Sequence, residues 1–98
     1  MTNNMRPIHP GEILRDELDA LELSANAFAL KLKVPANRIT AILNGKRGIT
    51  ADTALRLSHY FGTTAEFWLN LQMTYDLKIV EKTSGKQIAK EVEHRDAA

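Results

Sequence analysis

Residues 24–47 read Ser24-Ala-Asn-Ala-Phe-Ala-Leu-Lys-Leu-Lys-Val-Pro-Ala-Asn-Arg-Ile-Thr-Ala-Ile-Leu-Asn-Gly-Lys-Arg47, and the fold can be worked out from them. Ser24 is a favourable helix N-cap. Phe28, Ala29 and Leu32 then recur at the spacing of one helical face. Pro35 opens the next helix, where its missing N–H costs nothing. Ile39, Ile42 and Leu43 supply a second buried stripe before Asn44-Gly45 stops the helix. The stretch therefore predicts two short helices, Ser24–Leu32 and Pro35–Asn44, joined by three residues or fewer.

Outward from this pair the apolar spacing stays at three and four, and period-two alternation is absent, so the expected fold is all-α with five helices. Leu14, Leu18 and Leu21 mark a first helix from near Pro10 to near Leu21, with Glu12 in the first turn where the helix dipole favours an acid. Thr50 caps a fourth, with Asp52 in its first turn, Ala54, Leu57 and Phe61 facing inward, and Gly62 as its end. Thr63 or Thr64 caps a fifth, and Thr63-x-x-Glu66 has the form of a capping box.

The fifth helix is apolar on two sides. At 100° per residue Phe67, Trp68, Leu71, Tyr75 and Ile79 share one stripe, which can close the core. Leu69, Met73, Leu77 and Val80 fall roughly opposite. An exposed second stripe calls for cover by another copy or another protein, unless the chain's own tail folds back over it. A homodimer with Leu69, Met73, Leu77 and Val80 at its interface is the expectation. In 98 residues there is room for one core. Residues 1–8 are read as an N-terminal arm, 9–81 as the domain, and 82–98 as a flexible tail whose apolar anchors are Ile88 and Val92.

The net charge is +1, but it is unevenly spread. Residues 9–22 set Arg15 against Glu12, Asp16, Glu17, Asp19 and Glu22, whereas residues 23–51 hold Lys31, Lys33, Arg38, Lys46 and Arg47 and no acid. One structural unit thus carries a field suited to a polyanion, or a surface that is merely solvated.

Several functions are excluded by what is missing. Without cysteine there is no disulfide framework, thiolate zinc site or cysteine nucleophile, which fits a cytoplasmic protein. The longest uncharged stretches fall far short of a membrane span, and Met1 to Ile8 contains no apolar signal region. His9, His59 and His94 have no metal-ligand spacing. Glu12, Asp16 and Glu17 share a helix, but no base or nucleophile is placed to complete a reaction, so they read as a solvated acidic face. Gly45-Lys46 lacks the rest of a phosphate-binding loop. Trp68 reads as core. No enzyme activity, metal or cofactor is expected.

The two central helices have the dimensions of a helix-turn-helix. Phe28, Ala29, Val34, Ile39 and Ile42 lie where they must touch, leaving Ala36, Asn37, Thr40, Ala41 and Asn44 outward, with Arg38 at the margin and Lys46-Arg47 following. The run Leu23-Ser-Ala-Asn-Ala-Phe-Ala, Val34-Pro, Arg38-Ile-Thr and Leu43-Asn-Gly-Lys-Arg47 resembles the helix-turn-helix of the Cro/phage-repressor (XRE) superfamily, a lambda-repressor-like domain. Its flanks, His9-Pro-Gly-Glu-Ile-Leu and Ile49-Thr-Ala-Asp-Thr-Ala-Leu-Arg-Leu with Glu66-Phe-Trp-Leu-Asn-Leu-Gln72, resemble the HigA antitoxins, also called VapI-like proteins, over about residues 7–80.

That resemblance implies two activities: neutralising a HigB-like toxin, an mRNA endoribonuclease, and repressing the shared operon as a dimer on double-stranded operator DNA. It places Ser24 at a phosphate and Asn37 at a base-reading position, with Arg38, Thr40 and Asn44 beside or behind it and Lys46 and Arg47 as backbone anchors. Ala36 and Ala41 stand where the superfamily commonly has long polar base-reading side chains, and Ala25 where it often has glutamine. Alanine contacts a thymine methyl and asparagine pairs with adenine, so an A·T-leaning operator follows. Two other readings stay open: a solitary repressor without a toxin, and a protein-interaction module with little DNA affinity, which the three alanines favour.

Overall fold

A computed structural model describes residues 6–95. Five helices follow one another: α1 (Pro10–Ala20), α2 (Ala25–Leu32), α3 (Ala36–Leu43), α4 (Ala51–Phe61) and α5 (Ala65–Glu91). Ser24, Thr50 and Thr64 cap α2, α4 and α5, their hydroxyls accepting from the backbone N–H of Ala27, Thr53 and Phe67. Pro35 precedes α3 as its N-cap, with an extended backbone and no side-chain hydrogen bond.

At α1 the cap is His9. Its Nδ1 accepts from Gly11 N–H at 2.9 Å, so the ring proton sits on Nε2. The Glu12 carboxylate accepts in return from His9 N–H at 3.3 Å. Arg6 then grips Glu12 with both guanidinium nitrogens, at 2.9 and 2.7 Å. These hydrogen bonds from Arg6 pull the Glu12 carboxyl down to about 2.

The core gathers Leu14 and Leu18, Phe28, Ala29 and Leu32, Ile39 and Ile42, Ile49, Ala54 and Leu57, and Trp68. The Pro-Gly at the start of α1 has a packing reason: a Cβ on Gly11 would stand 2.0 Å from the carbonyl oxygen of Ile42, so α1 crosses α3 backbone to backbone. Trp68 is fully enclosed, and its indole N–H donates to Thr63 Oγ1 at 3.0 Å. That bond corrects the expected Thr63-x-x-Glu66 box, because the Thr63 hydroxyl serves the buried indole and the cap passes to Thr64.

Two further expectations about α5 are revised. Of the stripe meant to close the core only Trp68 is buried; Leu71, Tyr75 and Ile79 are half-buried and Phe67 is exposed. Tyr75 meets the His9 ring edge-on at 4.9 Å, but the helix then leaves the body, giving a molecule 53 Å long and 27 Å across. The boundary read at residue 81 falls inside α5, which continues to Glu91. Gly85 lowers helix propensity by about 1 kcal/mol without breaking a helix, and Lys82, Lys86, Gln87, Ala89 and Lys90 around it are good helix formers. Thr83 returns its hydroxyl to the carbonyl of Ile79 at 2.9 Å.

Two measurements check these constraints. Gly11→Ala forces α1 off α3 and lowers stability by roughly 3 kcal/mol or more in urea unfolding, since the obstacle is backbone. Glu12 titrates near 2 in a carboxyl NMR series, and Arg6→Ala returns it to the ordinary carboxylate range. Because the folded value lies below the unfolded one, the pair's support of α1 is complete above roughly pH 5 and is lost as pH falls through about 2.

Candidate nucleic-acid interface

Helix α2 turns into α3 through Lys33, which adopts the left-handed conformation at φ 60°. Val34 N–H closes the turn on the Ala29 carbonyl at 3.1 Å. Phe28, Ala29, Ile39 and Ile42 fill the angle between the helices. Because α3 is an eight-residue helix with one buried face, its other face is offered to solvent.

That face brings together most of the positions read from sequence. Ala36, Asn37, Asn44, Lys46 and Arg47 are exposed, and Thr40 and Ala41 are half-buried. Asn37's side-chain amide has no hydrogen bond among the described residues, which leaves both its donor and its acceptor edge free. Ser24 is exposed at the start of α2; its oxygen is used as the cap, and its hydroxyl hydrogen remains to donate. Thr40 bonds back to the Asn37 carbonyl at 3.3 Å. Lys46 and Arg47 form no ion pair among the described residues.

Two of the read positions are engaged elsewhere. Arg38 is half-buried and turns away from the α3 face to Asp52 at 2.6 Å. Asp52 also holds Arg56 at 2.9 Å, and Arg56 caps the end of α2 through the Leu32 carbonyl at 2.8 Å. The two guanidinium groups, Arg56 before Arg38, keep the Asp52 carboxyl below its ordinary range. Asn44 takes a long bond from Arg15 at 3.4 Å, and Arg15 also reaches the Leu43 carbonyl at 3.3 Å, so a cation of the otherwise acidic α1 caps α3. Ala25, where the superfamily often has glutamine, packs against the core.

Sequence reasoning missed the role of Gln72, which it named only as the end of the Glu66–Gln72 run. Its Oε1 accepts from Ile49 N–H at 2.6 Å, and its Nε2 donates to Asp76 at 2.9 Å. A Cβ at Gly48 would stand 3.0 Å from the same amide. Gln72 therefore pins the loop that carries Lys46 and Arg47 to α5. The signal was present in the Phe67-Trp-Leu-Asn-Leu-Gln72 run, but its partner is a backbone group 23 residues away.

Two short helices crossing over a shared core, the second presenting a face of small and polar side chains that leads into the exposed Lys46 and Arg47, define a helix-turn-helix protein. The sequence matches the helix-turn-helix family HTH_3 over residues 14–68. Virulence-associated protein I of Dichelobacter nodosus is 57% identical over 81 residues, 82% of this chain and 75% of that one. Among solved structures, an addiction module antidote protein of the HigA family from Coxiella burnetii is 64% identical, with a TM-score of 0.89 over 93% of this chain and 100% of the other. The Pseudomonas aeruginosa antitoxin HigA, solved with the higBA promoter, is 52% identical, with a TM-score of 0.86 over 90% of this chain and 97% of the other. The chain belongs to the helix-turn-helix family and, within it, to the HigA group of antitoxins and their VapI relatives.

Gln72→Ala leaves the part-buried Ile49 N–H without a partner and costs about 1–2 kcal/mol in urea unfolding. Because the same bond fixes the Lys46–Arg47 loop, the heteronuclear NOE of residues 46–48 falls while that of α3 does not.

Proposed function

We propose that this chain is the antitoxin of a HigBA-type module: it binds operator DNA as a homodimer to repress its own operon, and it neutralises a HigB-like mRNA endoribonuclease. The observation that carries the DNA half is the outward α3 face, where an unpaired Asn37 amide stands among small side chains and leads into the exposed Lys46 and Arg47. The likeness to an antitoxin solved with its own promoter supports it.

In this reading Ser24 donates its hydroxyl hydrogen to a phosphate, and Lys46 and Arg47 hold the backbone. Asn37 reads an adenine, and Ala36 and Ala41 meet thymine methyls. Thr40 and Asn44 lie at the edge of the face. Arg38, tied to Asp52, acts by holding α3 against α4 and reaches the duplex only if that pair opens. Dimerisation uses Leu69, Met73, Leu77 and Val80. The last three are exposed, and all four line a groove of about 440 Å³ beside Ile49.

Fluorescence anisotropy on the upstream duplex and on a shuffled one, across a salt series, tests the DNA half. The wild type binds the upstream duplex selectively. The Lys46→Ala, Arg47→Ala double variant loses two phosphate contacts per protomer, and the log–log salt slope flattens by roughly 3 to 4 for the dimer. Equal weak binding to both duplexes would overturn the repressor reading in favour of a protein-interaction module. Co-expression with the neighbouring toxin gene tests the other half: growth is restored and mRNA stays intact. No adjacent toxin, or no protection, would leave a solitary repressor.

A further inference from the structure

One groove is used neither by the outward face of α3 nor by the apolar line of α5. It runs between α1 and α5, holds about 310 Å³, and is lined by Ile8, Ile13, Phe67 and Leu71 together with Asn70 and Thr74. Phe67 is exposed although its neighbour Trp68 is fully enclosed, and the two rings meet edge to face at 5.2 Å, so the outer ring is held in place. Asn70 and Thr74 are exposed, and their side chains make no hydrogen bond among the described residues. A fixed aromatic ring beside a free amide and a free hydroxyl is what the centre of a protein–protein interface presents to its partner.

The groove faces away from both surfaces of the proposed function. On α1, Gly11 and Arg15 meet α3, and Ile13 lies about 160° round the helix from each. On α5, Phe67, Asn70, Leu71, Thr74 and Lys78 centre about 120° from the line of Leu69, Met73, Leu77 and Val80. A copy on that line and a duplex on α3 therefore leave the groove open.

Charge selects the occupant. Asp16 and Glu17 stand three and four residues after Ile13, on its side of α1, and both are exposed and without an ion pair among the described residues. Arg15, which could have balanced them, is engaged with the Leu43 carbonyl and Asn44. The α1 rim of the groove is thus acidic, and the cation that lines it, Lys78, belongs to α5. An enzyme that cuts mRNA carries a cationic surface to hold phosphates. The toxin of the proposed module therefore matches this rim, whereas a duplex is repelled by it and a second copy brings the same acids.

We infer that the groove between α1 and α5 is the surface that holds the toxin: an apolar side chain of the toxin packs on Phe67 and Leu71, its polar groups bond Asn70 and Thr74, and its cations meet Asp16 and Glu17. The inference rests on the antitoxin half of the proposed function and adds the surface. Toxin and operator then occupy different sides of one copy, so losing the first contact leaves the second intact.

The test is biolayer interferometry of the full chain against the toxin encoded by the adjacent gene. Phe67→Ala and Thr74→Arg, both at exposed positions, each raise the toxin Kd by roughly 10-fold or more. Both keep the wild-type operator affinity in anisotropy, the wild-type mass in sedimentation and the helical signal in circular dichroism. The Asp16→Lys, Glu17→Lys double variant slows toxin association at low salt, and its difference from the wild type shrinks as salt screens the charges. A wild-type chain that does not bind the toxin would overturn the antitoxin reading itself. A wild type that binds while Phe67→Ala and Thr74→Arg bind equally well would overturn this surface and leave that reading standing. A groove variant that lowers the mass in sedimentation would assign the groove to a second copy and overturn it as well.

Discussion

Helices α2 and α3 are eight residues each, well under the ~12–15 that an isolated helix needs to persist in water. Their existence depends on being held from outside, and most of the remaining chain can be read as that support. The α1 backbone passes close enough at Gly11 to lie on the Ile42 carbonyl. Arg15 of α1 caps the far end of α3, and Arg56 of α4 caps the far end of α2. Asp52 stands between Arg38 and Arg56, so one carboxylate couples α3 to α4 and, through Arg56, to α2.

This support divides the cations by role. A central segment with five positive charges and no acid reads as a single basic field, yet Arg38 is drawn inward to Asp52. Lys46 and Arg47 stay in solvent on a loop whose position comes from Gln72 and the close approach of Gly48. A narrow set of groups therefore faces outward on α3, and small side chains around Asn37 let a flat surface come near.

Much of the fold was legible in the sequence because local physics set it. The capping hydroxyls of Ser24 and Thr50, the Asn44-Gly45 stop and the three-and-four spacing are short-range signals, and the helices start and end close to where those signals put them. The failures share a cause. Thr63 and Thr64 are equivalent as local caps, and only the buried indole of Trp68, needing an acceptor, decided between them. Residues 82–98 read as a flexible tail, yet α5 runs through Thr83-Ser84-Gly85 to Glu91, because weak propensity lowers helix stability without ending a helix when the residues around it are good formers.

The candidate site was legible as positions but not as commitments. Amphipathic spacing determined by itself that Ala36, Asn37, Thr40, Ala41 and Asn44 would share the outer side of α3, since one turn every 3.6 residues is a property of the backbone. Only the tertiary structure decided which polar groups there were already spoken for, because Arg38 and Asp52 lie 14 residues apart, Arg15 and Asn44 29 apart, and Gln72 and Ile49 23 apart. Hydrogen bonds between such distant residues leave no periodic trace along the chain; they form when packing brings the helices together.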